Sequence, residues 1–262
     1  MPTVTEIIAF VEGRAGHSLN SDEGVQHGAP EGEVRRALVC WMATRDALEQ
    51  AGHTGCQLVI GHESLYYPYG ALRPESGPPG WQDWRINAAR RDLLERHGLT
   101  FARLHGSLDE LCIFDEFARI LGLGEPVEAD GLAKVYEVTP CTVGELVARV
   151  SERTGMAHLR VSAPRGLEQR VSRVGLPWGG LGLFVNVSYQ QELLEMGCDV
   201  LIAGESDSYG FRFAAEHGVP MIETSHEGSE NPGLRRFCAL LKEQFAALAV
   251  HFHEVPPPWQ WG

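Results

Sequence analysis

Gly55-Cys56-Gln57-Leu58-Val59-Ile60-Gly61-His62-Glu63-Ser64 lines up without gaps against Gly197-Cys198-Asp199-Val200-Leu201-Ile202-Ala203-Gly204-Glu205-Ser206. Gly, Cys, Ile, Glu and Ser coincide, five of the ten positions. In each copy a short apolar run follows a helical pattern and gives way to a loop carrying a glutamate, as a buried parallel strand does. Buried strands resemble one another by composition, so ten residues alone do not establish a duplication. The same rhythm restarts after the GLGEP stretch at 122–126, however. Two related α/β halves, 1–125 and 126–262, are therefore expected.

Outward from these segments the alternation continues along the whole chain. Helical spacing covers 5–14, 44–52, 81–98, 109–122 and 142–155; in the last of these Thr142 and Glu145 form a capping-box pair. Strand-like runs lie at 37–42, 99–104, 132–138, on both sides of Gly166, at 199–204 and at 219–224. This order predicts an α/β architecture with mostly parallel pairing. Pro232 reads as the start of the last long helix, which would leave His226 and Glu230 in the loop before it.

The composition narrows the function classes. The chain has 262 residues with 22 Lys and Arg against 35 Asp and Glu, a net charge of −13. Such an acidic balance disfavours nucleic acid and anionic membranes as partners, since phosphate binding relies on clustered cations. No stretch of 18 apolar residues is present, so no membrane span is expected. The start, MPTVTEIIAFVEGRAG, has no basic segment ahead of an apolar core, and no signal peptide is expected. The six cysteines form no C-x-x-C pair and mostly sit in apolar runs, which fits reduced, buried thiols in a cytoplasmic protein.

Ligand sites in parallel α/β sheets gather beyond the carboxyl ends of strands. At three such ends the same chemistry recurs: His62 with Glu63, His105 with Asp109, and His226 with Glu230. Taken singly, a His-Glu pair is an ordinary surface loop, and Asp109 equally suits a helix N-terminus. The recurrence points to a metal site. Imidazole and carboxylate without thiolate suit zinc, manganese, iron or cobalt. Six candidate ligands exceed what one tetrahedral ion needs, and two ions about 3.5–4 Å apart would activate water for hydrolysis. PWGGLG (177–182) matches no phosphate-loop pattern and reads as a turn. Tyr66, Tyr67, Tyr69, Trp81 and Trp84 form an aromatic group suited to stacking on a base or to packing a loop. His251 and His253 alternate on a strand face, and PPPWQWG reads as a packed or interfacial tail.

The motifs resemble those of the Nif-three-like dinuclear metal centre family, also called GTP cyclohydrolase I type II homologues. Where that family has I-T-H-H-P the chain has Ile60-Gly61-His62-Glu63-Ser64; for H-T-N-L-D it has His105-Gly106-Ser107-Leu108-Asp109. Ser225-His226-Glu227-Gly228-Ser229-Glu230 matches G-H-x-x-S-E, and Ala203-Gly204-Glu205 matches T-G-D. Asp22-Glu23-Gly24-Val25-Gln26-His27-Gly28 echoes D-N-x-G-L-Q-x-G. The resemblance implies two intertwined α/β repeats with mixed, mostly parallel sheets and a ring-shaped homohexamer. It also implies two divalent metal ions per chain (zinc, manganese or iron). His62 and Asp109 would hold one ion, Glu63 and His226 the other, with Glu230 bridging and His105 as a ligand or proton-transfer residue. Glu63 replaces the family's second histidine, a harder oxygen donor that favours manganese, magnesium or iron. The implied activity is hydrolysis of a small nucleotide-like or phosphorylated substrate; the alternative is a metal-binding hexameric scaffold without catalysis.

Overall fold

The strand-like runs at 37–42, 99–104, 132–138, 199–204 and 219–224 each contribute a strand to the computed structural model, which describes residues 1–259. In chain order come α1 (Val4–Ala15), β1 (Gly24–His27), β2 (Arg36–Cys40), α2 (Arg45–His53), β3 (Leu58–Gly61), α3 (Arg85–His97), β4 (Thr100–Arg103) and the single turn α4 (Gly106–Leu108). A π-helical turn at Asp109–Ile113 leads to α5 (Phe114–Ile120), β5 (Pro126–Asp130), β6 (Ala133–Thr142), α6 (Val143–Thr154), β7 (Arg160–Ser162) and β8 (Arg170–Gly175). Then follow α7 (Val187–Glu195), β9 (Val200–Ala203), α8 (Ser208–Glu216), β10 (Met221–Glu223), α9 (His226–Gln244) and β11 (Ala249–His253). No helix among the described residues is long and apolar enough to cross a membrane. The tail PPPWQWG runs past Trp259, beyond the described residues.

The chain divides into two compact units, one of residues 1–112 with 233–256, the other of 113–232 with the described part of the tail from 257. The first unit holds a five-stranded sheet in the order β1-β4-β3-β2-β11. Four of its strands run parallel, and β1 is antiparallel at one edge. Leu48 and Ala51 of α2, with Leu93 and Leu94 of α3, close over Leu38, Val59 and Phe101 of the sheet, all buried. The second unit holds a six-stranded sheet in the order β5-β6-β8-β9-β10-β7, parallel at β8, β9 and β10 and antiparallel elsewhere. Here Leu193 of α7 and Ala214 of α8 pack on Val135, Leu201 and Met221. The architecture is α/β with two mixed sheets, as the strand–helix alternation predicts.

The two aligned segments make matching hydrogen bonds. Gly55 and Gly197 both take positive φ, +68° and +80°, and turn the chain out of a helix. The next amide, of Cys56 or Cys198, bonds back to the helix at Ala51 O (2.9 Å) or Leu193 O (3.2 Å). The third residue enters the sheet: Gln57 N–H donates to Arg36 O (3.0 Å) and Asp199 N–H to Arg173 O (2.8 Å). Its side chain then accepts from the neighbouring strand. Gln57 Oε1 takes the amides of Arg35 and Arg36, and the Asp199 carboxylate those of Ser172 and Arg173. Even the arginines repeat, Arg36 donating to Thr54 O and Arg173 to Met196 O, each at the end of its helix.

Four local readings differ from the structure. The expected helix over 81–98 begins only at Arg85, after a 3-10 turn at Trp81–Asp83 and a non-helical Trp84. Pro232 lies inside α9, which begins at His226. Its ring removes one i→i−4 bond, to Gly228 O, and a helix long enough on both sides keeps its path. The expected helix over 109–122 starts as a π turn at Asp109, passes into α5 and ends at the Leu121 cap. The short strands β1 and β5 carry too little apolar pattern to stand out: all four β1 residues are half-buried and β5 is mostly exposed.

Alanine at Gly55 or Gly197 must adopt the left-handed region, and each substitution should cost about 1–2 kcal/mol, read as a lower urea midpoint with an unchanged slope. Burial pushes the imidazoles of His27 and His253 below the usual histidine value of 6.5. The unfolded chain therefore binds more protons than the native one below that value. Stability should fall as pH drops from 6.5, and His27→Gln should flatten that part of the urea-midpoint profile.

Candidate metal centre

In the first unit β3 and β4 pair in parallel with Gly61 opposite Arg103, so the residues after both strands emerge at one sheet edge. Gly61 is required there, because a Cβ would stand 2.6 Å from the Phe101 ring. Beyond it the backbone is held by His62 N–H donating to Cys40 O (3.2 Å) and Glu63 N–H to Trp41 O (2.8 Å). His62 is fully buried, and its Nδ1–H donates to Leu104 O at 3.1 Å. A carbonyl only accepts, so the ring presents its lone pair at Nε2, the geometry of a metal-ligating histidine with an outer-shell anchor. That Nε2 stands 3.9 Å from Asp109 Oδ1, at the first residue of the π turn. Single π turns inside helices recur at functional sites. One donor atom each from His62, Glu63 and His105 lies within 4.8 Å of the others.

Beneath these residues lies Arg103, only 1% exposed. Its Nε donates to His62 O (3.1 Å), one terminal nitrogen to Asp22 Oδ2 (2.8 Å) and the other to the Tyr69 hydroxyl (2.6 Å). Its guanidinium carbon also sits 4.9 Å from the centre of the Tyr69 ring. Burial, with the negative charge of Glu63 adding to it, raises the Tyr69 phenol above its ordinary value, so the hydroxyl stays protonated at neutral pH.

In the second unit α9 opens on His226, and one helical turn brings His226 Nε2 to 3.4 Å from Glu230 Oε1. On the other side of the ring Nδ1–H donates to Glu205 Oε2 at 3.0 Å, a carboxylate–histidine pair that aims Nε2 at Glu230. The glycine loop at 177–182 makes room for this pair. A Cβ at Gly179 would stand 2.0 Å from Glu230 Oε1 and 3.3 Å from His226 Nε2. Gly179 N–H is fixed by donating to Ser229 Oγ (2.9 Å), one residue before Glu230.

Each unit thus carries one donor set: His62, Glu63, His105 and Asp109 in the first, His226 and Glu230 in the second. Both sets are imidazole and carboxylate without thiolate, His62 and His226 each have their tautomer set by a second group, and the Gly179 space faces the Glu230 oxygen. These features fit a hard or borderline divalent ion. All six cysteines are buried and free, the Cys40, Cys198 and Cys238 thiols are pushed up to about 12 by burial, and no cysteine belongs to a donor group among the described residues. The expected aromatic group divides. Tyr66 packs on Trp81 (5.7 Å between ring centres), Tyr67 under Arg90, and Tyr69 goes to the donor set.

Strand-end reasoning passes over Glu205, Asp22, Arg103 and Tyr69. Glu205 was detectable through the repeat, because it occupies the place of Glu63 in the second copy. Arg103 should be the least replaceable of them. Arg103→Met strands Asp22, itself partly solvated, and should cost about 3 kcal/mol; Arg103→Lys recovers less than half, since one ammonium cannot reach three acceptors in a fork. Urea titration of both variants reads this directly.

Comparison with known proteins gives the family and the fold. The family described as Duf34/NIF3 (NGG1p interacting factor 3) matches residues 2–258. A protein of Schizosaccharomyces pombe named Protein NIF3 homolog is 30% identical over 120 residues, 45% of this chain and 40% of that protein. A Clostridium perfringens protein named GTP cyclohydrolase 1 type 2 homolog is 21% identical over 256 residues, 92% of each chain. The crystal structure of a Bacillus cereus protein related to NIF3 superposes with a TM-score of 0.80 at 14% identity, covering 100% of this chain and 99% of the other. With its family match extending over nearly all of its length, the chain belongs to the Duf34/NIF3 family.

Proposed function

We propose that the chain is a dinuclear-metal hydrolase acting on a small nucleotide-like or phosphorylated substrate, assembled as a homohexamer. The observation that carries this reading is the His226–Glu230 pair with Glu205 behind it, matched in the first unit by His62 anchored on Leu104 O and facing Asp109. Histidines whose second nitrogen is already committed, aimed at carboxylates, are what a hydrolytic metal site requires. The name of the clostridial relative supports the nucleotide-like substrate class.

In this reading His62 and Asp109 would hold one ion and Glu63 and His226 the other, with Glu230 available to either. Divalent ions there would supply Lewis-acid polarisation of a substrate oxygen and acidify water. The chain's own residues supply the rest. Leu104 O and Glu205 keep the two histidine ligands in one tautomer. Glu63, an oxygen donor where the family resemblance has a histidine, raises the negative charge of the site and favours manganese, iron or magnesium over zinc. His105 takes and returns the proton at its ring nitrogen, the role left to an imidazole beside two ligands.

Elemental analysis of protein purified without chelator or nickel resin tests the reading. About two ions per chain are expected, as a two-ion site demands. His226→Ala and Glu230→Ala should each lose metal while keeping the far-ultraviolet circular dichroism of the parent. Metal-free protein, or full retention in both variants, overturns the assignment. Metal-dependent turnover across a panel of nucleotides and phosphoesters would confirm the hydrolase, whereas stoichiometric metal without turnover favours the scaffold.

A further inference from the structure

His105 stands at the centre of a ring of contacts that the metal reading does not use. Its Nδ1 is 3.4 Å from Asp22 Oδ2 and its Nε2 is 3.4 Å from the Tyr69 hydroxyl. Arg103 closes the ring, donating to both Asp22 (2.8 Å) and Tyr69 (2.6 Å). The backbone is held independently by the neighbouring carboxylate. Glu23 Oε1 accepts from the amides of His105 (2.5 Å) and Ser107 (3.1 Å), and Glu23 Oε2 from the Ser107 hydroxyl (2.7 Å). Asp22 and Glu23 reach this place because they immediately precede β1, whose antiparallel register sets Gly24 opposite Arg103. One carboxylate therefore clamps the main chain of His105 and the adjacent one faces its ring.

We propose that Asp22 and Tyr69 are positioning residues that hold His105 as the Nδ1–H tautomer, with Nε2 presented as the proton acceptor, and so keep it out of the metal coordination sphere. The Asp22 carboxylate, which only accepts, faces Nδ1, so that nitrogen carries the proton. The Tyr69 hydroxyl, whose oxygen already accepts from Arg103, has its own hydrogen left to donate, and Nε2 accepts it. Coordination through Nε2 would break the bond to Tyr69, and coordination through Nδ1 would break the contact with Asp22. His62 has its Nδ1 fixed by a main-chain carbonyl and opens Nε2 toward Asp109; His105, by contrast, has a polar partner at each nitrogen. Tyr69 is 62% exposed as a residue although its hydroxyl is tied down, so an arriving substrate can displace it and expose Nε2. This assignment rests on the hydrolase reading for the use of the proton, but not for the tautomer.

The test is a two-bond proton–nitrogen correlation spectrum of the full chain labelled with ¹⁵N-histidine, metal-free and with added zinc, His105 being identified by the signals lost in His105→Gln. The Nδ1–H pattern is expected in both samples. Asp22→Ala should move His105 to a mixture of tautomers, and Asp22→Asn, which keeps an acceptor, should restore the wild-type pattern. Tyr69→Phe should shift the Nε2 resonance alone and leave the proton on Nδ1. An Nε2–H pattern in the parent, an unchanged spectrum in both Asp22→Ala and Tyr69→Phe, or a zinc-induced shift of a His105 nitrogen into the coordinated range overturns the proposal. Metal content is measured on the same samples. Absence of any bound zinc, manganese, iron or magnesium with the expected tautomer pattern would remove the hydrolase and leave the positioning assignment standing.

Discussion

In both units the chain leaves a helix and enters a strand within three residues, and the side chain of the third decides where the new strand sits. Gln57 and Asp199 each accept two main-chain amides from the strand next door. Amides left unpaired at that point would cost about 1–3 kcal/mol each if buried. Slipping the strand by one residue would lose them and would also turn every side chain to the opposite face. The stagger that results sets Ala37 against Leu58 and Cys40 against Gly61 in the first unit. From there β4 follows in step, and the polar residues beyond each apolar run come out at one edge. The donor positions are a consequence of strand register before they are a matter of chemistry.

The first unit then spends a buried cation on the same edge. Arg103 has no room to be solvated, and each of its three nitrogens donates, to His62 O, Asp22 and Tyr69. A charge-paired guanidinium beneath the donor set fixes the loop after β3 and the segment before β1 together. It also offsets part of the negative potential that Glu63 and Asp109 would otherwise accumulate. The second unit reaches a comparable order by a different route, with glycine in place of charge: the missing side chain at Gly179 leaves space before Glu230, and Glu205 turns His226 toward it.

Much of this was legible in the residues. His62, Glu63, His105, Asp109, His226 and Glu230 could be picked out because a polar residue directly after a buried strand has few structural reasons to be there. The α/β alternation was equally plain, since α6 has its capping box and the strands are short and apolar. Pro232 misled because a local rule about helix starts was weighed without the residues before it, whose bonds extend α9 back to His226. Tyr69 read as one of five aromatic residues, and Arg103 as one more residue of an apolar run. Neither can be placed without knowing that β1 pairs with β4, which brings Asp22 to Arg103 across 81 positions of sequence.

The sequence by itself determined which residues are able to be ligands, where most of the buried strands and capped helices lie, and that the segments at 55–64 and 197–206 share one pattern. These follow from local periodicity, from glycine's access to positive φ, and from the chemistry of imidazole and carboxylate. Only the tertiary structure decided which nitrogen of each histidine carries its proton, because that depends on the atom facing the ring: Leu104 O for His62, Glu205 for His226, Asp22 for His105. A hydrogen-bond partner is set by strand pairing between distant segments, and no local pattern in the chain encodes it.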